Sequence, residues 1–381
     1  MSEIAVASRC ATTRRFGPIA IACAMLLVMM AAAPVFAQGA PESVERFSLD
    51  SVIGVDSFGG QNVSSQPQVV IDVSAAVRIG DNWQLYVRPW FRLPRPASPT
   101  ATTPPWDTEI YQAGVRYERP GPIAVRLDAG YILSPIGLGI LDSRQNLNPN
   151  ILPHLSYVVP MPAFAVGAPR VSPISTAYPL GAQLTVSTNR WDARAAVVNS
   201  APTRPYVLGA ATNPRQTPVF VAGGGVTPIT GLRLGASFAH GDYATSEEIT
   251  LPNAQGRAVT IIGGEGEWAF RYTKIRAEII RSAFEVPGET AVAREWFVQG
   301  VQTLAPRWFV AARGEGASAP PLFNGITVGT GTTFAVFEAT VGFRVTPDIT
   351  LRSAYDQRRS YGATSWDNQA AVSVVWTRRW W

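Results

Sequence analysis

Apolar and polar residues alternate along most of the chain. In Val69–Arg78 the apolar residues occupy every second position, while Asp72, Ser74 and Arg78 share the opposite face. Asn82–Arg88 shows the same period. A period of two residues predicts β-strands whose two faces differ in polarity. About sixteen such segments follow one another, although Thr217–Gly225 is rich in glycine and alternates weakly.

The connections between these segments alternate between short and long. The short ones are turns such as Gly80-Asp81 and Pro120-Gly121, whose residue types reach turn dihedrals at low cost. The long ones, which include Ser134–Thr176, Ala201–Gln216 and Glu285–Ala291, are mostly polar. Outer-membrane barrels have short periplasmic turns and long external loops. The rhythm of the connections therefore predicts such a barrel rather than a soluble β-sandwich.

A spanning sheet must pair all of its backbone N–H and C=O groups, and closure into a barrel achieves this. We therefore predict an all-β fold, a transmembrane antiparallel up-and-down β-barrel of about 16 strands in the cell outer membrane. The apolar faces would contact lipid and the polar faces would line the lumen. Tryptophans beside the turns, such as Trp83, Trp191 and Trp308, are typical of an interfacial girdle.

The first 37 residues have the pattern of a cleaved signal peptide. Three arginines precede the apolar run Ile19–Ala33, and Val35-Phe36-Ala37 supplies small residues for cleavage. We therefore expect residues 1–37 to be removed and residues 38–381 to form the barrel.

Composition excludes several other functions. Both cysteines, Cys10 and Cys23, lie in the predicted signal peptide, so the remaining chain has no thiol for disulfides, metal binding or catalysis. After residue 37 the chain has 29 basic and 26 acidic residues. This balance gives no indication of nucleic-acid binding. We expect neither a cofactor nor a metal ion.

The last strand, Ala370–Trp381, alternates and ends on an aromatic residue. It resembles the terminal strand of bacterial outer-membrane proteins, although Trp381 replaces the usual phenylalanine and Arg378 interrupts the apolar face. The chain after residue 37 resembles sixteen-stranded diffusion porins in strand number, loop rhythm and a long third external loop. This resemblance implies a third loop folded into the lumen and a homotrimer. The segment Gly130–Leu138 is loosely similar to phosphate-selective porins, which by itself does not indicate phosphate selectivity.

Charged residues on the polar faces are the candidate pore lining. Three arginines lie on consecutive strands: Arg88, Arg116 and Arg126. Three glutamates lie on later strands: Glu278, Glu295 and Glu338. Antiparallel neighbours would place the arginines side by side, which favours a mild anion preference. Pro89 cannot donate to a strand ladder, so we expect it to interrupt its strand and to leave Arg92 in a loop.

If the third loop enters the lumen, its charged residues Asp142, Arg144 and His154 would form a constriction. The predicted function is passive diffusion of small hydrophilic solutes or ions, with outer-membrane lipid as the surrounding partner. Two alternatives remain open. One is an outer-membrane lipase or protease with His240, at the outer end of a strand, as its base. The other is a closed barrel with a structural or adhesin role. We expect the protein not to be an enzyme.

Overall fold

The structure is a computed structural model that describes residues 46–60, 67–94, 105–164, 169–208, 217–245, 248, 257–286, 289–322 and 331–380. In these residues, sixteen antiparallel strands form one closed barrel in which each strand pairs with its neighbours in sequence. The last strand pairs with the first, from Asp50 opposite Arg379 to Gly60 opposite Gln369. The predicted signal peptide and the terminal Trp381 lie outside the described residues.

The first eight strands are β1 (Phe47–Gly60), β2 (Gln68–Ile79), β3 (Trp83–Leu93), β4 (Asp107–Arg119), β5 (Ala124–Tyr131), β6 (Leu180–Ser187), β7 (Trp191–Val198) and β8 (Val219–Ile229). The second eight are β9 (Leu232–Asp242), β10 (Ala258–Phe270), β11 (Thr273–Val286), β12 (Glu289–Ala305), β13 (Trp308–Ser318), β14 (Thr333–Arg344), β15 (Ile349–Arg359) and β16 (Asp367–Arg379). The prediction of a sixteen-stranded up-and-down barrel is confirmed.

Two local expectations were wrong. Strand β3 continues through Pro89 to Leu93, because a register shift between Arg88 and Pro89 accommodates the missing N–H, so Arg92 is on the strand and not in a loop. The long loop expected at Glu285–Ala291 is instead a hairpin, since the pairing of β11 with β12 extends to Val286 opposite Glu289. The glycine-rich segment near Thr217–Gly225 does form a strand, β8.

The outward face of the wall is apolar and exposed, as a lipid-contacting surface must be. The tryptophans beside the short turns lie on it, and Trp83, Trp191 and Trp308 are each more than 40% exposed. In the described residues, no helix is both long enough and apolar enough to cross a membrane.

Residues 132–164 and 169–179, the described part of the connection between β5 and β6, are called the inner segment below. The inner segment contains a 3₁₀ helix, Gly139–Ser143, and a single α-helical turn, α1 (Leu155–Val158). Strands β5 and β6 are only eight residues long. Beyond their ends, Tyr206 bridges to Ala177 and Leu208 bridges to Ile110. Residues 206 to 208, in the connection between β7 and β8, therefore extend the wall where the short strands β5 and β6 end.

The inner segment shares an apolar core with strands β7–β12. Its buried members include Ile136, Ile140 and Phe164, which pack with strand residues such as Ile261 and Phe284. The Phe164 and Phe284 ring centroids are 5.1 Å apart. A water-filled barrel would carry polar residues at such inward positions, so this part of the interior is packed like a soluble core.

Candidate functional site

Glu338 on β14 holds the middle of the inner segment against the wall. Its Oε1 accepts hydrogen bonds from the backbone N–H groups of Ile151 (2.8 Å) and Leu152 (3.2 Å). Its Oε2 accepts a bond of 3.0 Å from Arg313 on β13. Glu338 is 3% exposed. This predicted pore-lining carboxylate therefore anchors the inner segment.

Glu295 and Glu315 make a second anchor at α1. The Ser156 hydroxyl donates to Glu295 at 3.0 Å and lies 3.1 Å from Glu315, and the N–H of Leu155 donates to Glu315 at 2.9 Å. Both carboxylates are fully buried. The first turn of α1 has no acidic residue of its own, and Glu315 supplies the acceptor for the free N–H of Leu155, while Glu295 binds the Ser156 hydroxyl.

Glu278 on β11 forms a third anchor. It accepts hydrogen bonds from the N–H of Leu138 and from the Tyr157 hydroxyl. The Tyr157 hydroxyl in turn accepts a bond of 3.2 Å from the N–H of Gly139. Gly137, next to Leu138, has φ of 95°, in the left-handed region, and a Cβ there would collide with the Tyr157 hydroxyl. The glycine thus allows the close approach on which the anchor depends.

Two of the predicted constriction-loop residues meet in a buried charge cluster. His154 Nε2 lies 3.0 Å from Asp142 Oδ2, and His154 Nδ1 lies 3.5 Å from Glu315. Arg276 on β11 forms an ion pair with Asp142. Burial raises the pKa of the Asp142 carboxyl, but the hydrogen bond from His154 and the charge of Arg276 outweigh it and hold that pKa below the usual 3.8.

The third constriction-loop residue, Arg144, lies on the opposite side of the barrel. Its Nε is 3.6 Å from Asp72 on β2, and the neighbouring Gln145 donates a hydrogen bond of 2.7 Å to Asp56 on β1. Asp72 is also the bidentate partner of Arg88, at 2.5 to 3.0 Å. Arg88, predicted as a pore charge, is therefore 7% exposed and neutralised by a carboxylate.

Arg116 and Arg126 share one carboxylate lower on the same wall. Asp128 accepts hydrogen bonds from Arg116 at 2.7 Å and from Arg126 at 2.6 Å. The Arg126 side chain is 45% exposed, whereas that of Arg88 is nearly covered. Of the three predicted arginines, Arg126 is thus the one most accessible to water.

Two cavities lie on the short-turn side of the inner segment. The larger, about 690 Å³, is lined by four cationic side chains, Lys274, Arg276, Arg344 and Arg352, and by two carboxylates, Asp142 and Asp348. The smaller, about 280 Å³, is lined by Arg126, Arg194, Asp128 and Asp192. The larger cavity therefore has a cationic excess, and the smaller one is balanced.

Two arginines that the sequence analysis did not name as candidate pore lining help to organise this region. Arg352 donates to the carbonyls of Asn148 and Asn150, each at 2.7 Å. Arg344 lies 5.1 Å from the centre of the Phe309 ring and has no carboxylate partner in the described part of the chain. Each belongs to the inward face of its strand, so parity alone could have found both. To tell which of the inward residues contact the inner segment, the path of that segment must be known.

His240, the alternative catalytic base, faces outward and is exposed. Its Nδ1 lies 3.0 Å from the hydroxyl of Thr260 on β10. Within the described ranges no group of three or more histidine, cysteine, aspartate or glutamate side chains is arranged to hold a metal ion.

The barrel is similar to solved outer-membrane proteins. No protein-family model and no curated protein sequence matches the chain. The in-vitro folded outer membrane protein OmpT of Vibrio cholerae is 9% identical with a TM-score of 0.53, over 87% of this chain and 97% of that chain. Its trimer form has a TM-score of 0.52 at 8% identity, over 87% and 99% of the chains. A porin structure refined at 1.8 Å is 10% identical with a TM-score of 0.50, over 87% and 99%.

These similarities show the fold, which is that of an outer-membrane β-barrel. Together with the exposed apolar belt, they place the protein in the outer membrane.

Proposed function

We propose that the protein is a porin for passive diffusion of small hydrophilic solutes or ions, with a lumen narrowed by the inner segment. The observation that carries this proposal is the cavity of about 690 Å³ inside the barrel, between the short turns and the inner segment, which is called the chamber below. Its lining is charged, which a diffusion path requires and a lipid-contacting or sealed surface does not.

The chamber also supports a mild anion preference. Four cationic and two acidic side chains line it. Arg276 is compensated by Asp142, and Lys274 lies 3.0 Å from Glu267, whereas Arg344 has no such partner in the described ranges. An uncompensated charge in a narrow, low-dielectric passage attracts counter-ions. The proposed selectivity thus depends more on Arg344 than on the arginine pairs of β3–β5.

The proposal has two further parts. We take the protein to be non-enzymatic, since His240 points to the lipid face and its hydrogen-bond partner is a threonine rather than a carboxylate. We also take it to be a homotrimer, which the fold similarity to the trimer form of OmpT favours.

One observation favours a second candidate, a barrel closed by its inner segment. The apolar core between the inner segment and β7–β12 fills one side of the interior, and ion pairs join the segment to β2 and β11 on opposite sides. A barrel of this kind would have a structural role. It would not conduct.

Single-channel recording in planar bilayers separates the two candidates. We expect discrete conductance steps and, under a salt gradient, a reversal potential that indicates anion preference. Arg344→Gln should move that potential toward the cation side, while Arg190→Gln, in a turn outside the chamber, should leave it unchanged. Folded protein that gives no conductance would refute the porin. An unchanged reversal potential in Arg344→Gln would refute this origin of selectivity.

A further inference from the structure

Two arginines lie side by side on the outward face of the barrel. Arg281 on β11 and Arg294 on β12 are directly opposite in the strand register, and both are exposed. Neither forms a hydrogen bond or an ion pair with another residue in the described ranges. Like charges in directly opposed positions destabilise a strand pair. The wall therefore carries a concentrated positive charge that it does not itself neutralise.

The residues around this pair are those of a lipid-contacting surface. Ile262, which is paired with Arg281, is 51% exposed, Ile279 is 60% exposed and Trp296 is 41% exposed. The nearest carboxylate on the outward face of β11 is Glu285, four residues away, or about 13 Å along the strand. The two guanidinium groups thus stand at the border of an apolar surface without a nearby anion.

The height of the pair places it at the outer membrane surface. Leu304 marks the short-turn end of the apolar face of β12, and it is 63% exposed. Arg294 is ten residues further along the strand. Ten residues at about 3.3 Å each, tilted by about 40°, rise roughly 25 Å, which is the height of the apolar band of such barrels. Arg294 and Arg281 therefore lie where the headgroups of the outer leaflet begin.

We propose that Arg281 and Arg294 form a binding site for a lipid-borne phosphate group of the outer leaflet. A phosphate between two guanidinium groups accepts parallel charge-assisted hydrogen bonds, neutralises the like-charge pair and leaves its acyl chains on Ile262, Ile279 and Trp296. A lipid fits better than a free anion because the surface below the arginines is apolar. The site does not depend on whether the barrel conducts.

Native mass spectrometry of the detergent-solubilised protein tests the site. The probes are lipid A with two phosphates, the same lipid without phosphate, and inorganic phosphate. We expect the unsubstituted protein to retain diphosphorylated lipid A in preference to the dephosphorylated form. The double substitution Arg281→Gln/Arg294→Gln should lower that affinity at least about tenfold, because it removes two charge-assisted contacts. Arg281→Lys/Arg294→Lys should keep part of it.

The matched control removes two exposed arginines at the opposite end of the barrel, Arg190→Gln/Arg307→Gln, and should bind like the unsubstituted protein. Equal losses in both double variants, or no loss in Arg281→Gln/Arg294→Gln, would overturn the proposal. Displacement of the lipid by equimolar inorganic phosphate would assign the pair to a free anion instead. A change in oligomeric state without a change in lipid retention would assign it to a contact between copies. If the double variant does not fold, Arg294→Gln alone answers the same question.

Discussion

Replacement of Glu338 by glutamine tests whether inward-facing carboxylates hold the inner segment. Both carboxylate oxygens of Glu338 accept hydrogen bonds. Oε1 accepts from the N–H groups of Ile151 and Leu152, and Oε2 accepts from Arg313. A glutamine side chain has only one oxygen. Its NH₂ group must therefore face either the two backbone donors or the guanidinium group, and a donor would meet a donor in a buried position.

The structure sets the size of the expected effect. Glu338 is 3% exposed, so water cannot replace the lost acceptor without opening the segment. Breaking a buried charged pair costs about 3 to 5 kcal/mol. Because glutamine keeps one acceptor oxygen, we expect a cost at the lower end of this range. A loss of about 3 kcal/mol in the local opening free energy corresponds to roughly hundredfold faster amide exchange at Ile151 and Leu152.

Hydrogen-exchange mass spectrometry on peptides that cover residues 148–155 measures this rate. Glu267→Gln is the matched control, because Glu267 also faces inward but pairs with Lys274 and not with the inner segment. The anchoring role is refuted if exchange in this peptide is the same in Glu338→Gln and the unsubstituted protein. It is also refuted if Glu267→Gln accelerates exchange equally.

Two other predictions concern the same segment. Asp142 has a lowered pKa, so its contribution to stability is present above pH 3.8 and is lost as the pH falls through its lower folded value. In Arg276→Gln that pKa rises, and acid-induced exchange at residues 139–143 should begin at a higher pH; an unchanged onset would contradict the ion pair. Gly137→Ala should lower the unfolding free energy in urea by about 1 to 2 kcal/mol or more, because φ is 95° and Tyr157 leaves no room. Gly362→Ala is the control, because Gly362 has φ of 75° but nothing lies near a Cβ there. Its smaller loss of unfolding free energy would measure backbone strain without the collision with Tyr157.

Much of the wall could be predicted from sequence because its physics is local. A strand between lipid and a lumen must alternate, and a turn must contain residues that reach its dihedrals. The two wrong predictions about the wall concern places where pairing with a neighbouring strand determines the local structure. Strand β4 accommodates Pro89 through a register shift, and the pairing of β11 with β12 extends into residues whose composition is typical of a loop.

The site was less predictable because alternation gives the direction of a side chain but not its partner. Glu278, Glu295 and Glu338 do face inward, yet each binds backbone or hydroxyl groups of the inner segment. One signal was available: Ile261-Ile262 and Ile279-Ile280 place apolar residues on both faces of their strands. Apolar residues on an inward face indicate a packed interior at that height.

The anchors of the inner segment also set an order of assembly. The contacts of Leu138, Leu155 and Ile151 join residues 140, 160 and 187 positions apart in sequence. Closing loops of this length costs more chain entropy than pairing strands that are neighbours in sequence, so these contacts form after the local hairpins. The inner segment therefore cannot be fully anchored before β11, β13 and β14 have joined the sheet, so the wall of the barrel must form ahead of the packed interior.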